Sequence, residues 1–326
     1  FPGAQSYGRS RVMRFTPYAF RVLAGWAFTP RCYLEAALLA DARIPAAEDL
    51  FYQPLYNNRT IDDPVPERTS AAELGWRLTG PVLDLQVTAF AVLTLDGTET
   101  RRYYDDMASV YCDMAVTGIG RLSCGVEAAA DIRLSYRWRL SLAASAGRYK
   151  YARDPVVTVI SDVDNSAVDM RAVSRMGGCE TGGAPQLTAA AELAWFGTKG
   201  WGCRASAGFA GRRFVELMPL RRTDRIAGQA GITHEAFDAF TRQERLADAF
   251  TLDASFFKTV RFDRSRLTAA LMLRNLLGDA DTPYGGYESL RVRRIRPGDD
   301  TLYTPHATRY TYAWPRSFYL TISYRF

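Results

Sequence analysis

The chain has 326 residues, 48% apolar and 13% aromatic, with 41 Lys plus Arg against 35 Asp plus Glu and a net charge of +6. Such an aromatic content excludes a disordered chain, and no stretch approaches the ~18–20 uncharged apolar residues of a spanning helix. Two His and five Cys without C-x-x-C spacing indicate neither a zinc site nor a complete disulfide framework.

Phe1 is not an initiator Met and no signal peptide follows it, so processing or truncation is expected to have removed the true start. No Pro-rich or Gly/Ser-rich linker divides the chain. Residues 1–326 are therefore read as one continuous sheet.

The dominant signal has period two, as a strand with one greasy and one wet face requires. In segment 69–79, Ala72, Leu74, Trp76 and Leu78 oppose Thr69, Glu73, Arg77 and Thr79. Segment 83–94 sets Leu83, Leu85, Val87, Ala89, Ala91 and Leu93 against Asp84, Gln86 and Thr88. The longest run, 121–136, places Leu122, Cys124, Val126, Ala128, Ala130, Ile132, Leu134 and Tyr136 on one face. Arg121, Ser123, Glu127, Asp131, Arg133 and Ser135 take the other. Segments 186–196 and 201–210 repeat the pattern, and the last strand sets Phe318, Leu320, Ile322, Tyr324 and Phe326 opposite Tyr319, Thr321, Ser323 and Arg325.

About eleven strands are predicted, at 10–28, 32–42, 68–79, 82–94, 120–136, 138–151, 186–197, 200–214, 248–262, 266–275 and 316–326. Short connections (29–31, 80–81, 137, 198–199, 263–265) alternate with long ones (43–67, 95–119, 152–185, 215–247, 276–315). That sorting, with most strands reaching the ~9–11 residues that cross a bilayer, predicts an all-β antiparallel transmembrane β-barrel. A soluble sandwich has shorter strands and no reason to sort its loops. Trp26, Trp76, Trp138, Trp195 and Trp201 lie near short turns, level with Tyr136, Phe262, Tyr324 and Phe326, and Trp314 lies at the opposite end. Aromatic belts at two membrane interfaces would look like this.

Candidate chemistry is sparse. His234 and His306 lie in long loops without a nucleophile motif nearby, so no catalytic residues are assigned. Asp162, Asp164, Asn165 and Asp169 lack the Gly and closing Glu of a calcium loop. They read as a solvated acidic loop, and no metal or cofactor is expected. Cys32, Cys124 and Cys203 fall on the apolar set, whereas Cys112 and Cys179 fall in outer loops, where spacing cannot establish a pair. Aromatics gather in the outer loops: Tyr103, Tyr104, Tyr111, Tyr284, Tyr287, Tyr303, Tyr310 and Tyr312. Of these, Tyr103, Tyr104, Tyr284, Tyr287 and Tyr303 are the candidates to stack on a flat or sugar-like ligand, although a belt that packs loop on loop needs the same residues. Arginines are spread rather than striped, so nucleic acid is not a partner; outer arginines are better placed to meet lipopolysaccharide phosphates.

Several segments resemble TonB-dependent outer-membrane receptors of the Bacteroides-like kind. Val65-Pro66-Glu67-Arg68-Thr69-Ser70-Ala71-Ala72-Glu73-Leu74-Gly75 resembles their P-E-R-S/T…E-L-G segment. Gln243-Glu244-Arg245-Leu246 leading into Phe250-Thr251-Leu252-Asp253-Ala254-Ser255, Arg274-Asn275-Leu276-Leu277, Tyr284-Gly285-Gly286-Tyr287 and the ending Arg316 to Phe326 are similar to later parts of the same barrels. The resemblance implies a 22-stranded barrel around an N-terminal plug, of which this chain supplies about half. It is expected to be the C-terminal portion, without plug or TonB box; the alternative is a complete ten- or twelve-stranded barrel with a structural or adhesive role. The resemblance further implies TonB-dependent uptake of an iron chelate, cobalamin or glycan. TonB would act through the missing plug, and the barrel-assembly machinery would recognise Phe318, Leu320, Ile322, Tyr324 and Phe326.

Overall fold

The computed structural model describes residues 10–55, 58–106, 108–227, 233–289, 291–295 and 302–326, without the side chains of 292–295, 302, 303 and 305. Eleven strands form one antiparallel meander: β1 (Tyr18–Thr29), β2 (Cys32–Arg43), β3 (Glu67–Thr79), β4 (Leu83–Asp105), β5 (Val110–Arg133), β6 (Trp138–Arg153), β7 (Leu187–Phe196), β8 (Trp201–Gly211), β9 (Ala249–Arg261), β10 (Arg266–Arg274) and β11 (Ser317–Arg325). Each pairs with its neighbours in chain order, so the predicted strand set and its connectivity hold. Among the described residues β1 pairs only with β2 and β11 only with β10, which leaves the described sheet open at two edges.

Register turns the sequence alternation into two continuous surfaces. On one row Val87 opposes Ala128, Ala128 opposes Ala144, Ala144 opposes Ala189, Ala189 opposes Phe209 and Phe209 opposes Phe250. The next rows of that face read alike, down to Leu271 opposite Leu320 and Ala269 opposite Ile322. Asp84–Asp131, Thr88–Glu127, Ser141–Glu192 and Ser206–Asp253 pair on the other face. A one-residue slip anywhere would put charges among the apolar residues, so the pattern itself fixes the register. The apolar face is bare: Phe318 is 75% exposed and Ile322 67%. Among the described residues no helix is long and apolar enough to cross a membrane; the crossing elements are strands.

Trp138 and Trp195 face each other at the short-turn rim with ring centroids 6.4 Å apart, and the Lys258 ammonium sits 4.6 Å from the centre of Trp201. Gly200 closes one short turn at φ +78°, where an added Cβ would lie 2.1 Å from the Thr259 carbonyl oxygen. Trp314, 85% exposed, stands beyond the other rim.

Three boundaries differ from expectation. Residues 10–17 are not strand. β8 ends at Gly211, and Arg213–Phe214 then pairs with Arg245–Leu246 in a separate ribbon. The largest difference is 95–119, expected to be a loop. There β4 and β5 run on as a hairpin, kinked by irregularities at Thr94/Gly97 and Gly97/Glu99. Gly118 at φ +73° adds a bend that a β-carbon would oppose.

A second strand pair, Val156–Ser161 with Ala167–Val173, extends this hairpin. Here the packed interior lies. Tyr103, Cys112, Met114, Val116, Ile119, Val157, Val159, Met176, Leu217, Met218 and Leu220 form one buried cluster above the strands. A smaller one joins Tyr52, Ile61, Ala115 and Ile160. The long loops thus make a dome with its own core.

Candidate functional site

The dome is the site at which side chains from different loops converge. Its base is an ion-pair group where the hairpin leaves the membrane level. Arg121 of the wet face pairs with Glu99 at 2.5 Å, and Arg101 joins Glu99 at 2.9 Å to Glu216 at 2.6 Å. Burial raises the Glu99 pKa, but the Arg121 and Arg101 charges outweigh it and hold the carboxyl below its usual range. Because Arg121 belongs to the wet face, the dome sits over that side of the sheet.

Two buried pairs tie the loops together. Arg222 and Glu288 meet at 2.5 and 2.7 Å in a fork that excludes water, their side chains 1% and 4% exposed. Glu288 also accepts from the Met218 N–H at 2.7 Å, and Arg222 donates to the Thr241 carbonyl at 2.6 Å. Thr241 ends helix α2 (His234–Thr241), which follows the short helix α1 (Asp224–Ala227). From α1, Arg225 reaches Asp105 at 2.7 Å. Burial raises the Asp105 pKa, but the Arg225 hydrogen bond and charge bring it below the usual value.

The five candidate aromatics separate. Tyr103 points into the core and its hydroxyl donates to Asp105 at 3.0 Å, so it has no face for a ligand. Tyr104 meets Tyr111 edge-on at 5.2 Å. Arg291 lies 5.5 Å from the Tyr104 ring and Arg102 lies 5.3 Å from the Tyr111 ring. Arg291 is itself held by Asp106 at 2.5 Å. The result is a stacked arginine–tyrosine rim built from loops 185 residues apart. Tyr284 and Tyr287 are 45% and 49% exposed, Tyr284 beneath Arg213 at 5.4 Å. The Tyr303 backbone pairs with Arg294, and its side chain lies outside the described residues. Tyr310, not among the five, donates to Glu244 at 2.5 Å.

Two of the acidic loop residues bond to neighbouring groups. Asp162 pairs with Arg102, and Asp164 accepts from the Ser166 N–H at 2.9 Å. Asp169 is pushed up by burial, with Arg225 opposing. Among the described residues no three His, Cys, Asp or Glu side chains gather to hold a metal ion. All five cysteines are free, and burial pushes the Cys112 thiol up to about 12. His234 opens α2, and the His306 carbonyl accepts from Arg221 at 2.9 Å.

Sequence reasoning missed Arg222, Glu288, Arg291 and Asp113. Asp113 is fully buried beside Arg102, with both carboxylate oxygens unbonded. No local signal marks any of the four, since each takes its surroundings from another strand or loop.

Residues 13–276 match the family described as TonB dependent receptor-like, beta-barrel. No curated protein matches the chain. Among solved structures it is similar to the copper transporter OprC, with a TM-score of 0.55, 16% identity, and coverage of 93% of this chain and 39% of that one. The siderophore receptor PiuA from Acinetobacter baumannii gives a TM-score of 0.54, 12% identity, and coverage of 93% and 35%. The ferric yersiniabactin uptake receptor FyuA from Yersinia pestis gives a TM-score of 0.51, 14% identity, and coverage of 94% and 37%. At these identities the likeness is one of fold, and the chain spans under two fifths of each of these proteins.

Proposed function

Because the chain belongs to the TonB-dependent receptor β-barrel family of the bacterial outer membrane, we propose that it is the C-terminal half-barrel of an uptake receptor. The receptor imports a large, scarce substrate by TonB-dependent active transport, and it is not an enzyme. The observation that carries this reading is the in-register pair of surfaces, one bare and apolar, one charged, roofed by long loops on a single side. A lipid-exposed strand edge leaves backbone groups unsatisfied at several kcal/mol each. The two edges that are open among the described residues therefore support closure by further strands and speak against a self-contained barrel; a plug would sit against the wet face. TonB would act through that plug.

The substrate class is an iron chelate, cobalamin or a glycan. The exposed Tyr284 and Tyr287 and the half-buried Tyr104, with Arg291 and Arg213, offer stacking faces beside cations. Other partners are outer-membrane lipid, lipopolysaccharide and the barrel-assembly machinery, the last through the Phe318–Phe326 stripe. The test is uptake of labelled ferric chelates, cobalamin and oligosaccharides in cells lacking the gene, and separately in cells lacking TonB. Uptake of one class should fall in both strains. Intact uptake of all three, with a weakened outer membrane, would favour the structural barrel instead.

A further inference from the structure

The apolar face is not uniform. Between Val87 and Phe209 it carries Ala128, Ala144 and Ala189 in successive strands, and beside them Ala191 and Ala207 lie between Leu142 and Leu252. Small side chains among Leu and Phe leave a furrow of about 530 Å³, walled at one end by Phe209 and Phe250 with rings 4.9 Å apart. On β6 the same face continues outward from Ala144 through Ala146 to Arg148 and Lys150. At ~3.3 Å per residue, Arg148 stands roughly 13 Å from Ala144 along the strand. Lys150 is matched by Glu180 at 3.7 Å. Arg148 is exposed and has no hydrogen-bond or ion-pair partner among the described residues.

An unmatched guanidinium beside lipid is unfavourable unless an anion meets it, and its planar fork suits a phosphate. The furrow is apolar along its length, and the same face carries an unmatched cation farther out along β6; together they have the polarity of an amphiphile. We propose that this face holds one phosphorylated outer-leaflet lipid at a fixed place, an acyl chain in the alanine furrow and a headgroup phosphate on Arg148. The inference rests on the outer-membrane reading above and deepens its lipid partner.

Native mass spectrometry of the full-length protein, purified from outer membranes in detergent, tests it. The probes are lipid A, an uncharged diacylglycerol and inorganic phosphate. Wild type should retain one lipid A and neither of the other two. Arg148→Ala should lower retention about fivefold, the effect of one interfacial cation, and Arg148→Lys should recover most of it. Ala144→Phe, which fills the furrow, should abolish retention, whereas Ala143→Phe on the wet face should not. Heat-modifiable migration on gels checks that each variant is folded. Equal lipid A retention by all folded variants overturns the proposal, as does equal retention of diacylglycerol, binding of phosphate alone, or a protein found seated in the furrow. Fractionation separates the two readings. Wild type in the outer membrane without bound lipid sinks only this inference, whereas its absence from that membrane sinks the reading beneath it as well.

Discussion

Replacing Asp113 with Asn should strengthen the outer hairpin at neutral pH. Asp113 lies above the membrane-spanning part of β5 and is fully buried; its carboxylate has no hydrogen bond, and the nearest Arg102 nitrogen is 4.0 Å away. Arg102 is already engaged by Asp162. Burial pushes the Asp113 pKa from 3.8 up to about 6, with Arg102 opposing and the Asp162 charge adding to it. The folded state therefore binds this proton more tightly than the unfolded state. No penalty exists below pH 3.8; it grows between 3.8 and about 6 and is complete at pH 7. At ~1.4 kcal/mol per pH unit it amounts to about 3 kcal/mol at neutral pH. Asn carries no charge at any pH but leaves an amide imperfectly bonded, so the expected gain is ~1–3 kcal/mol. Hydrogen exchange on the reconstituted protein measures it through the amides of 110–117 and 156–161, each referred to its intrinsic rate at pH 5 and 7.5. Wild type should lose protection at pH 7.5 and Asp113→Asn should not. A variant less protected than wild type at pH 7.5, or a wild type indifferent to pH, would refute the reasoning.

Ala128→Arg should destabilise the inserted barrel by ~2–4 kcal/mol, whereas Ala129→Arg on the wet face should be milder; equal losses in denaturant titrations from vesicles would mean the faces are misassigned. Arg222→Met strands a buried Glu288 carboxylate and should cost ~3–5 kcal/mol, seen as faster proteolysis of loops 212–248 and 275–316. Adding Glu288→Leu should restore resistance; failure to do so would deny that the stranded charge is the cause. Deleting Phe326, whose ring packs 6.2 Å from Tyr324, should leave the full-length protein in the periplasm if the assembly machinery reads this stripe. Normal insertion with a slightly lower melting point would leave it only a belt role.

The spanning strands were legible because one face meets lipid and the other water, which writes period two into 83–94 and 121–133 directly. Residues 110–119 belong to the same strand as 121–133 but read as a loop. There Cys112, Asp113, Met114, Ala115 and Val116 are all buried, so both faces are enclosed and no apolar–polar alternation survives, while Gly118 and Gly120 look like turn residues. Tyr103 and Tyr104 are adjacent and equally aromatic, yet one is core and the other rim. The choice is made by the parity shift at Gly97 and Glu99, which composition does not reveal. Arg222 and Glu288 stand 66 residues apart, and nothing near either names the other.

The core above the strands has a consequence for insertion. Its members come from the β4–β5 hairpin, from Tyr151 at the outer end of β6, from 154–186 and from 212–248, and Arg222–Glu288 and Arg291–Asp106 bind in the last long loop. None of these contacts can form until the hairpins carrying them have crossed the bilayer. Once they form, no single hairpin can slide back without tearing buried apolar surface and a buried ion pair into lipid. The dome thus works as a bolt closed from the far side, turning reversible threading of strands into a one-way passage.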